Sequence, residues 1–131
     1  MNVLITWDND EKTIIRVTLK DGVTIDEMIN NMSKTLELID SVNHTVDYLL
    51  DFRLKRIPDR WLVRFPEIAG HPALTHENLG VQVVISNNRF VQRLSSIFTS
   101  VFSSSVWVVE TEEAAYARLH KAQAARSEAE T

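Results

Sequence analysis

A short apolar stretch, Val46-Asp47-Tyr48-Leu49-Leu50-Asp51, decides how the rest of the chain is interpreted. An apolar run of this length that closes on an aspartate is typical of a buried central strand. A second such run, Leu79-Gly80-Val81-Gln82-Val83-Val84-Ile85, follows after a segment with a helical pattern. Because buried strands joined through a helix lie parallel in one sheet, we expect these two strands to be neighbours that point the same way.

The segments before this pair predict a hairpin and a helix. Val3–Trp7 and Thr13–Leu19 are alternating, β-branched runs joined by a short polar turn, which predicts two antiparallel strands. Thr24 and Glu27 form a capping-box pattern ahead of apolar residues at helical spacing. The chain therefore enters the central strand from a helix that packs on the sheet.

The segments after the pair continue the alternation of helix and strand. Helices are predicted over 59–69, from the cap Ser86-Asn87-Asn88 onwards, and from Thr111, with a last strand over 106–109. The resulting order predicts an α/β fold with a mixed five-stranded sheet and about four helices. We expect residues 1–123 to form a single domain and residues 124–131 to be a frayed tail.

Composition excludes several classes of function. The chain has 131 residues, a net charge of -4 and no cysteine, so disulfides and thiolate chemistry are excluded. The acidic balance argues against general nucleic-acid binding. No leader pattern opens the sequence, and the longest uncharged stretch, Leu94–Val109, is too short for a membrane span. We therefore expect a cytoplasmic protein.

The element order, with its N-terminal hairpin, resembles the STAS or SpoIIAA-like family, whose fold overlaps structurally with lipid-exchange domains of the CRAL-TRIO type. The resemblance covers residues 2–120. It is carried by the strand that ends in Asp51, by His71-Pro72-Ala73-Leu74 before the fourth strand, and by Thr111-Glu112-Glu113-Ala114 at the last helix. The resemblance implies a bacterial regulatory or scaffold protein.

One expected residue is missing. Regulatory members of the family resemble one another in a phosphorylatable serine just after the third strand, but residues 46–74 contain neither serine nor threonine. A switch that works by adding phosphate charge at that place therefore has no acceptor here. The scaffold remains, and a scaffold does not fix a function.

The segment after Asp51 contains a cluster of basic residues, namely Arg53, Lys55, Arg56, Arg60 and Arg64. In open α/β sheets ligands bind where strands end, and the loop after Ile85 should share that edge. The predicted anion or partner site consists of Arg53, Arg56, Arg60, Asn87, Asn88 and Arg89, beside a helix N-terminus. The alternative is a solvated loop whose arginines pair with Asp51 and Asp59.

Apolar side chains give two further hypotheses. Trp61 and Phe65 either rim a pocket or anchor a helix on the sheet. The predicted helix after Asn88 carries an apolar stripe that is core, a ligand cavity or a dimer interface. The opposite face of this helix carries small polar residues, which would allow another copy of the chain to approach closely and suggests a homodimer. The apolar stripe is Phe90, Val91, Leu94, Ile97, Phe98, Val101 and Phe102, and the polar face is Gln92, Ser96, Thr99 and Ser103.

No pattern indicates catalysis. The glycines are far apart, which excludes a phosphate loop and a dinucleotide fingerprint, and no activated nucleophile is recognisable. His71 and His76 match no zinc spacing, so we expect neither a metal nor a cofactor. The sequence predicts a non-enzymatic binding or protein-interaction module. The alternative is a carrier of a lipid-like or anionic small molecule.

Overall fold

The computed structural model describes residues 2–93 and 106–130, over which a single mixed sheet is flanked by helices. The strands are β1 (Val3–Trp7), β2 (Ile14–Leu19), β3 (Val46–Asp51), β4 (Leu79–Ile85) and β5 (Val106–Val109). The helices are α1 (Ile25–Asp40), α2 (Trp61–Ala69), α3 (Pro72–Thr75), α4, described over residues 89–93, and α5 (Glu112–Glu130).

The strands lie in the sheet in chain order, β1-β2-β3-β4-β5. β1 and β2 are antiparallel, and every later neighbour pair is parallel. Asp51 at the end of β3 lies opposite Ile85 at the end of β4. The predicted mixed five-stranded α/β sheet and the parallel central pair are therefore confirmed.

The start of α1 has the hydrogen bonds of a capping box. The Thr24 hydroxyl oxygen accepts from the backbone N–H of Glu27 at 3.1 Å, and the Glu27 carboxylate accepts from the backbone N–H of Thr24 at 3.2 Å. These bonds satisfy two donors that a helix start leaves free. α1 is thereby fixed directly after the turn at Gly22, whose φ of 92° suits a residue without Cβ.

The two faces of the sheet are packed differently. The face that we call the α1 face carries Val3, Val17, Tyr48 and Val84 and is covered by α1, α2 and α3. The opposite, α5 face carries Ile14, Leu49, Val83 and Ile85, which pack against Ala115 and Leu119 of α5. Side chains alternate between the faces because successive residues of a strand point to opposite sides.

The helical region between β3 and β4 differs from the prediction in detail. α2 begins at Trp61 and contains Pro66, and a short helix, α3, follows it. The described residues thus contain five helices where about four were expected. Pro72 stands in the first turn of α3, where its missing N–H has no consequence. His71 caps this turn by accepting the Ala73 N–H at 3.0 Å.

Residues 124–130, which we predicted to be part of a frayed tail, continue α5 to Glu130. Arg126 donates to the buried carboxylate of Asp47 at 2.6 Å, and Gln123 donates to the same oxygen at 3.2 Å. A charged group in β3 thus holds a segment that has little hydrophobic surface of its own. The sequence shows no local pattern for such a long-range pair.

The apolar stripe and the polar face predicted for the helix after Asn88 fall mostly within 94–105, outside the described residues. Of the stripe, Val91 is buried and Phe90 is 41% exposed. Over residues 2–93 and 106–130, none of the helices combines the length and the apolar composition needed to cross a membrane.

Candidate functional site

The loops after β3 and β4 meet at the carboxyl edge of the sheet. The backbone N–H of Phe52 donates to the carbonyl of Ile85 at 2.9 Å, which continues the strand pairing into the loops. The predicted site residues of loop 53–60 and loop 86–89 therefore follow neighbouring strands. The side chains within the two loops are nevertheless used in different ways.

Arg53 is committed to Asp51. Its Nε donates to Oδ1 at 2.8 Å and its Nη2 donates to Oδ2 at 2.6 Å. These hydrogen bonds from Arg53 are the main reason why the pKa of the Asp51 carboxyl lies below its usual value, with a further contribution from the charge of Arg16. This pair belongs to the alternative interpretation of the loop, in which its arginines are paired with neighbouring aspartates such as Asp51 and do not bind a ligand.

Asp51 also belongs to a polar network that ties α5 to the sheet. Arg16 donates to Asp51 Oδ2 at 3.1 Å and to the Tyr116 hydroxyl at 3.1 Å, and it forms an ion pair with Glu112. The Tyr116 hydroxyl in turn donates to Asp8 at 2.6 Å. Since every member has partners within the network, these groups hold the last helix in place.

Asn88 is the N-cap of α4. Its side-chain oxygen accepts from the backbone N–H groups of Phe90 at 2.8 Å and Val91 at 3.3 Å. Two of the backbone donors that could have bound an anion at this helix start are therefore already occupied. Asn87 beside it is exposed.

Arg56, Arg60 and Arg89 are the predicted site residues that remain available. All three are exposed, and none forms an ion pair with another described residue. Arg60 has a φ of 62°, a left-handed conformation that is uncommon for a residue with a side chain. Arg64 faces elsewhere, because it is paired with Asp26 and Glu67.

An apolar cavity of about 100 Å³ lies on the α1 face of the sheet. All five strands and helices α1 to α4 contribute to its wall. Its described lining residues are Val3, Ile5, Val17, Leu19, Met28, Met32, Thr35, Tyr48, Leu50, Phe52, Trp61, Phe65, Ile68, Leu74, Gln82, Val84, Val91, Val106 and Val108.

Three aromatic rings form one part of the cavity wall. The ring centroid of Trp61 is 5.1 Å from that of Phe52 and 5.7 Å from that of Phe65, with tilted planes in both pairs. Such tilted contacts are favourable for aromatic rings. Trp61 and Phe65 therefore anchor α2 on the sheet and line a pocket at once, which combines the two interpretations of these residues.

The cavity wall contains few polar groups. Thr35, Tyr48 and Gln82 are buried, and burial raises the pKa of the Tyr48 phenol, which keeps it neutral. Sequence analysis did not assign these three residues to a site. Of the three, Gln82 could have been recognised in the sequence as a candidate site residue, because it is a polar residue within an otherwise apolar strand.

The two histidines that were considered for a metal site make other contacts. His71 caps α3, and His76 Nε2 lies 2.7 Å from the carboxylate of Asp40. Among the described residues, no group of three or more His, Asp or Glu side chains is placed to hold a metal ion.

Comparison with known proteins gives no relative for this chain. No family model matches it, and neither a curated protein nor a solved structure resembles it closely enough to count as a match.

Proposed function

We propose that this chain is a non-enzymatic binding protein whose ligand occupies the apolar cavity on the α1 face. The observation that carries the proposal is the cavity itself, which is lined from both the sheet and the helices. Concave, mostly apolar pockets with a few polar groups are the usual sites of small molecules. Among the described lining residues there is no Asp, Glu, His or Lys that could act as a general acid or base.

The size of the cavity limits what it can hold. Pockets for drug-sized ligands have volumes of roughly 300–1,000 Å³, whereas an engineered cavity of about 150 Å³ takes up benzene. About 100 Å³ therefore suits a small apolar molecule or the apolar end of a longer amphiphile. The cavity volume makes the carrier hypothesis more specific, because the part of the ligand that the cavity buries must be small.

The energetics favour occupation of the cavity. The described lining is almost entirely apolar, so a ligand that enters removes apolar surface from water, which is favourable. A ligand that binds the folded protein and not the unfolded chain also raises the free energy of unfolding.

The proposal is tested by native mass spectrometry of protein purified from cells, followed by thermal unfolding with small hydrocarbons. We expect a co-purifying adduct or a rise in Tm with toluene. Val84→Phe, which adds a ring to the cavity wall, should abolish the rise, whereas Val63→Phe on the exposed side of α2 should preserve it. A bare mass together with an unchanged Tm would refute the proposal.

A second candidate function is protein interaction at the carboxyl edge. It is favoured by the exposed cations Arg60 and Arg89, which are close in the sequence to exposed apolar side chains, Val63 at 71% and Phe90 at 41%. An acidic partner with an apolar centre would complement such a surface. The resemblance to STAS-like scaffold proteins, with the cytoplasmic location and homodimer that we expect, is compatible with this candidate.

The second candidate is tested by a pull-down with the triple variant Arg56→Glu, Arg60→Glu, Arg89→Glu. Arg53 is left unchanged because it serves Asp51. The matched control is Lys12→Glu, Lys34→Glu, Lys121→Glu, which changes the net charge equally at other exposed positions. Recovery of the same partners by both variants would exclude the carboxyl edge as the interaction surface.

A further inference from the structure

Two polar side chains lie next to each other in the wall of the cavity. Tyr48 in β3 and Gln82 in β4 are partners in the parallel register, and both line the cavity on the α1 face. Neighbouring strands are only about 4.8 Å apart, so side chains at paired positions on one face are close together. The phenol and the amide therefore form one polar patch within a largely apolar wall.

The polar atoms of this patch are accessible from the cavity. Within the part of the chain that the structure describes, the side-chain N and O atoms that are both sealed and unpaired belong to Trp61 and Arg118. The Tyr48 hydroxyl and the Gln82 amide have no hydrogen bond to a described residue either, but they are not among these sealed atoms. Since both residues are buried and line the cavity, their accessible atoms face it.

Together the phenol and the amide can form several hydrogen bonds. A glutamine amide has two N–H donors and an acceptor oxygen, and a phenol hydroxyl both donates and accepts. Any single hydrogen bond within the protein would therefore still leave donors and acceptors for a ligand. Because an enclosed polar group without a partner is unfavourable, a ligand that can both donate and accept would be stabilised here.

The charge of the wall restricts the ligand further. The described lining residues include no Asp, Glu, His, Lys or Arg, and burial raises the pKa of the Tyr48 phenol, which keeps it protonated. A carboxylate or phosphate inside such a cavity would have no counter-charge. The buried part of the ligand is therefore uncharged.

We infer that Tyr48 and Gln82 form the polar subsite of the cavity, and that its ligand is a small, neutral, largely apolar molecule with a hydroxyl-like group. The inference rests on the proposed function of the cavity and specifies its ligand class. Both residues lie in the middle of their strands, so the polar group of the ligand is buried against the centre of the sheet. In the amphiphile hypothesis, by contrast, an anionic head group lies at the carboxyl edge.

The test uses two probes of matched shape, cyclopentanol and methylcyclopentane, which differ in having a hydroxyl or a methyl group. Their Kd values are measured by NMR titration against the wild type, Tyr48→Phe and Gln82→Met, which remove the polar groups and keep the size of the side chains. We expect each substitution to weaken cyclopentanol by about fivefold relative to methylcyclopentane, the effect of one ordinary hydrogen bond. The anionic probe cyclopentanecarboxylate should not bind at neutral pH.

The chain offers a matched control for each substitution. Tyr116→Phe changes the other tyrosine, which lies on the α5 face, and Gln92→Met changes a glutamine that is not among the described lining residues. Both controls should leave the affinity ratio of the two probes unchanged. A loss of stability that is common to these variants therefore does not imitate the expected result.

A second readout uses the wild type alone and does not depend on the folding of a variant. The side-chain amide resonances of Gln82, assigned by their absence in Gln82→Met, should shift with cyclopentanol. Methylcyclopentane, which has no hydrogen-bonding group, should shift them much less. Such a difference would place the hydroxyl of the probe beside the amide.

The outcomes separate the inference from the proposed function. A lowered cyclopentanol preference in either cavity variant, together with the selective shift, would support the subsite. Binding of both probes with an unchanged ratio in Tyr48→Phe and Gln82→Met would overturn the inference and would leave the cavity as a binding site. Binding of cyclopentanecarboxylate in the cavity would also overturn it. Failure of every probe to bind would overturn the proposed function itself.

Discussion

Asp47 is a carboxylate with no solvent-exposed surface, held by three donors from different parts of the chain. It accepts hydrogen bonds from Arg126 at 2.6 Å, from Gln123 at 3.2 Å and from the backbone N–H of Val81 at 2.9 Å. A buried charge is tolerated only where such partners are complete. The space that this arrangement needs is provided by Gly80.

Gly80→Ala should therefore be strongly destabilising. A Cβ at this position would clash with the Asp47 carboxylate and would lie 2.9 Å from Arg126, so the buried ion pair would have to move. We expect a loss of about 2–4 kcal/mol in the free energy of unfolding, measured by urea denaturation. Gly70→Ala, whose Cβ would lie 3.3 Å from the Pro66 carbonyl, is the control and should cost less; equal losses would contradict the explanation.

The pair of Asp51 and Arg53 gives a prediction about pH. Because hydrogen bonds from Arg53 lower the pKa of Asp51 from its ordinary value of 3.8, the pair contributes stability above that pH. This contribution is lost as the pH falls through the lower folded-state pKa. Arg53→Gln should therefore reduce the free energy of unfolding by about 1 kcal/mol at pH 7, since Arg53 is half-exposed.

The measurement is urea denaturation of wild type and Arg53→Gln at neutral and strongly acidic pH. The difference between the two proteins should shrink in acid, where Asp51 is protonated in both. A difference that persists unchanged at low pH would show that Arg53 acts through packing of its stem instead of its charge.

At the scale of elements, α5 is held to the sheet at both of its ends. Near its start, Tyr116 and Glu112 join the network of Arg16, and near its end Arg126 reaches Asp47. Between them, Ala115 and Leu119 are fully buried against the α5 face. The helix has no continuous apolar stripe, so polar contacts with particular partners fix its position.

Deletion of residues 124–131 should consequently destabilise the protein about as much as Arg126→Ala, by about 2–4 kcal/mol, because both leave Asp47 buried without its cation. Deletion of residues 128–131 retains Arg126 and is the control, with an expected change of less than about 1 kcal/mol. Thermal and urea unfolding measure all three. A full-sized loss in the shorter deletion would disprove the role of the ion pair.

The elements also show which features the sequence could predict. Alternation and apolar runs identify β3 and β4 as neighbours, because strand burial is a local property of side chains. The commitment of Arg53 to Asp51 and of Arg126 to Asp47 depends on which of several partners lies within reach in the folded chain. The cavity depends on imperfect packing between elements, which no pattern of residue types encodes.

For the whole molecule, the two faces of the sheet differ in how tightly they are packed. Val83 on the α5 face is fully buried, whereas Val84, its neighbour in β4, lines the cavity on the α1 face. A side chain beside a void has fewer contacts to lose than one in a close-packed core. The same substitution should therefore have different effects at these adjacent positions.

We expect Val83→Ala to lower the free energy of unfolding by about 2–3 kcal/mol and Val84→Ala by about 1 kcal/mol. Each variant is the control for the other, since residue type, strand and change in volume are identical. Urea denaturation in the absence of added ligand measures both. Equal losses would mean that the cavity is filled or closed in solution.

The order of the strands has a consequence for how the chain reaches this structure. Every strand is paired with the strand that precedes it in the chain, but the parallel partners are joined through long connections, so paired residues such as Ile14 and Asp47 are distant in the sequence. Such non-local pairing slows folding. During synthesis, each new strand can pair with a strand that has already been made. The edge strand β5 has four residues, so it offers little free backbone with which another chain could pair.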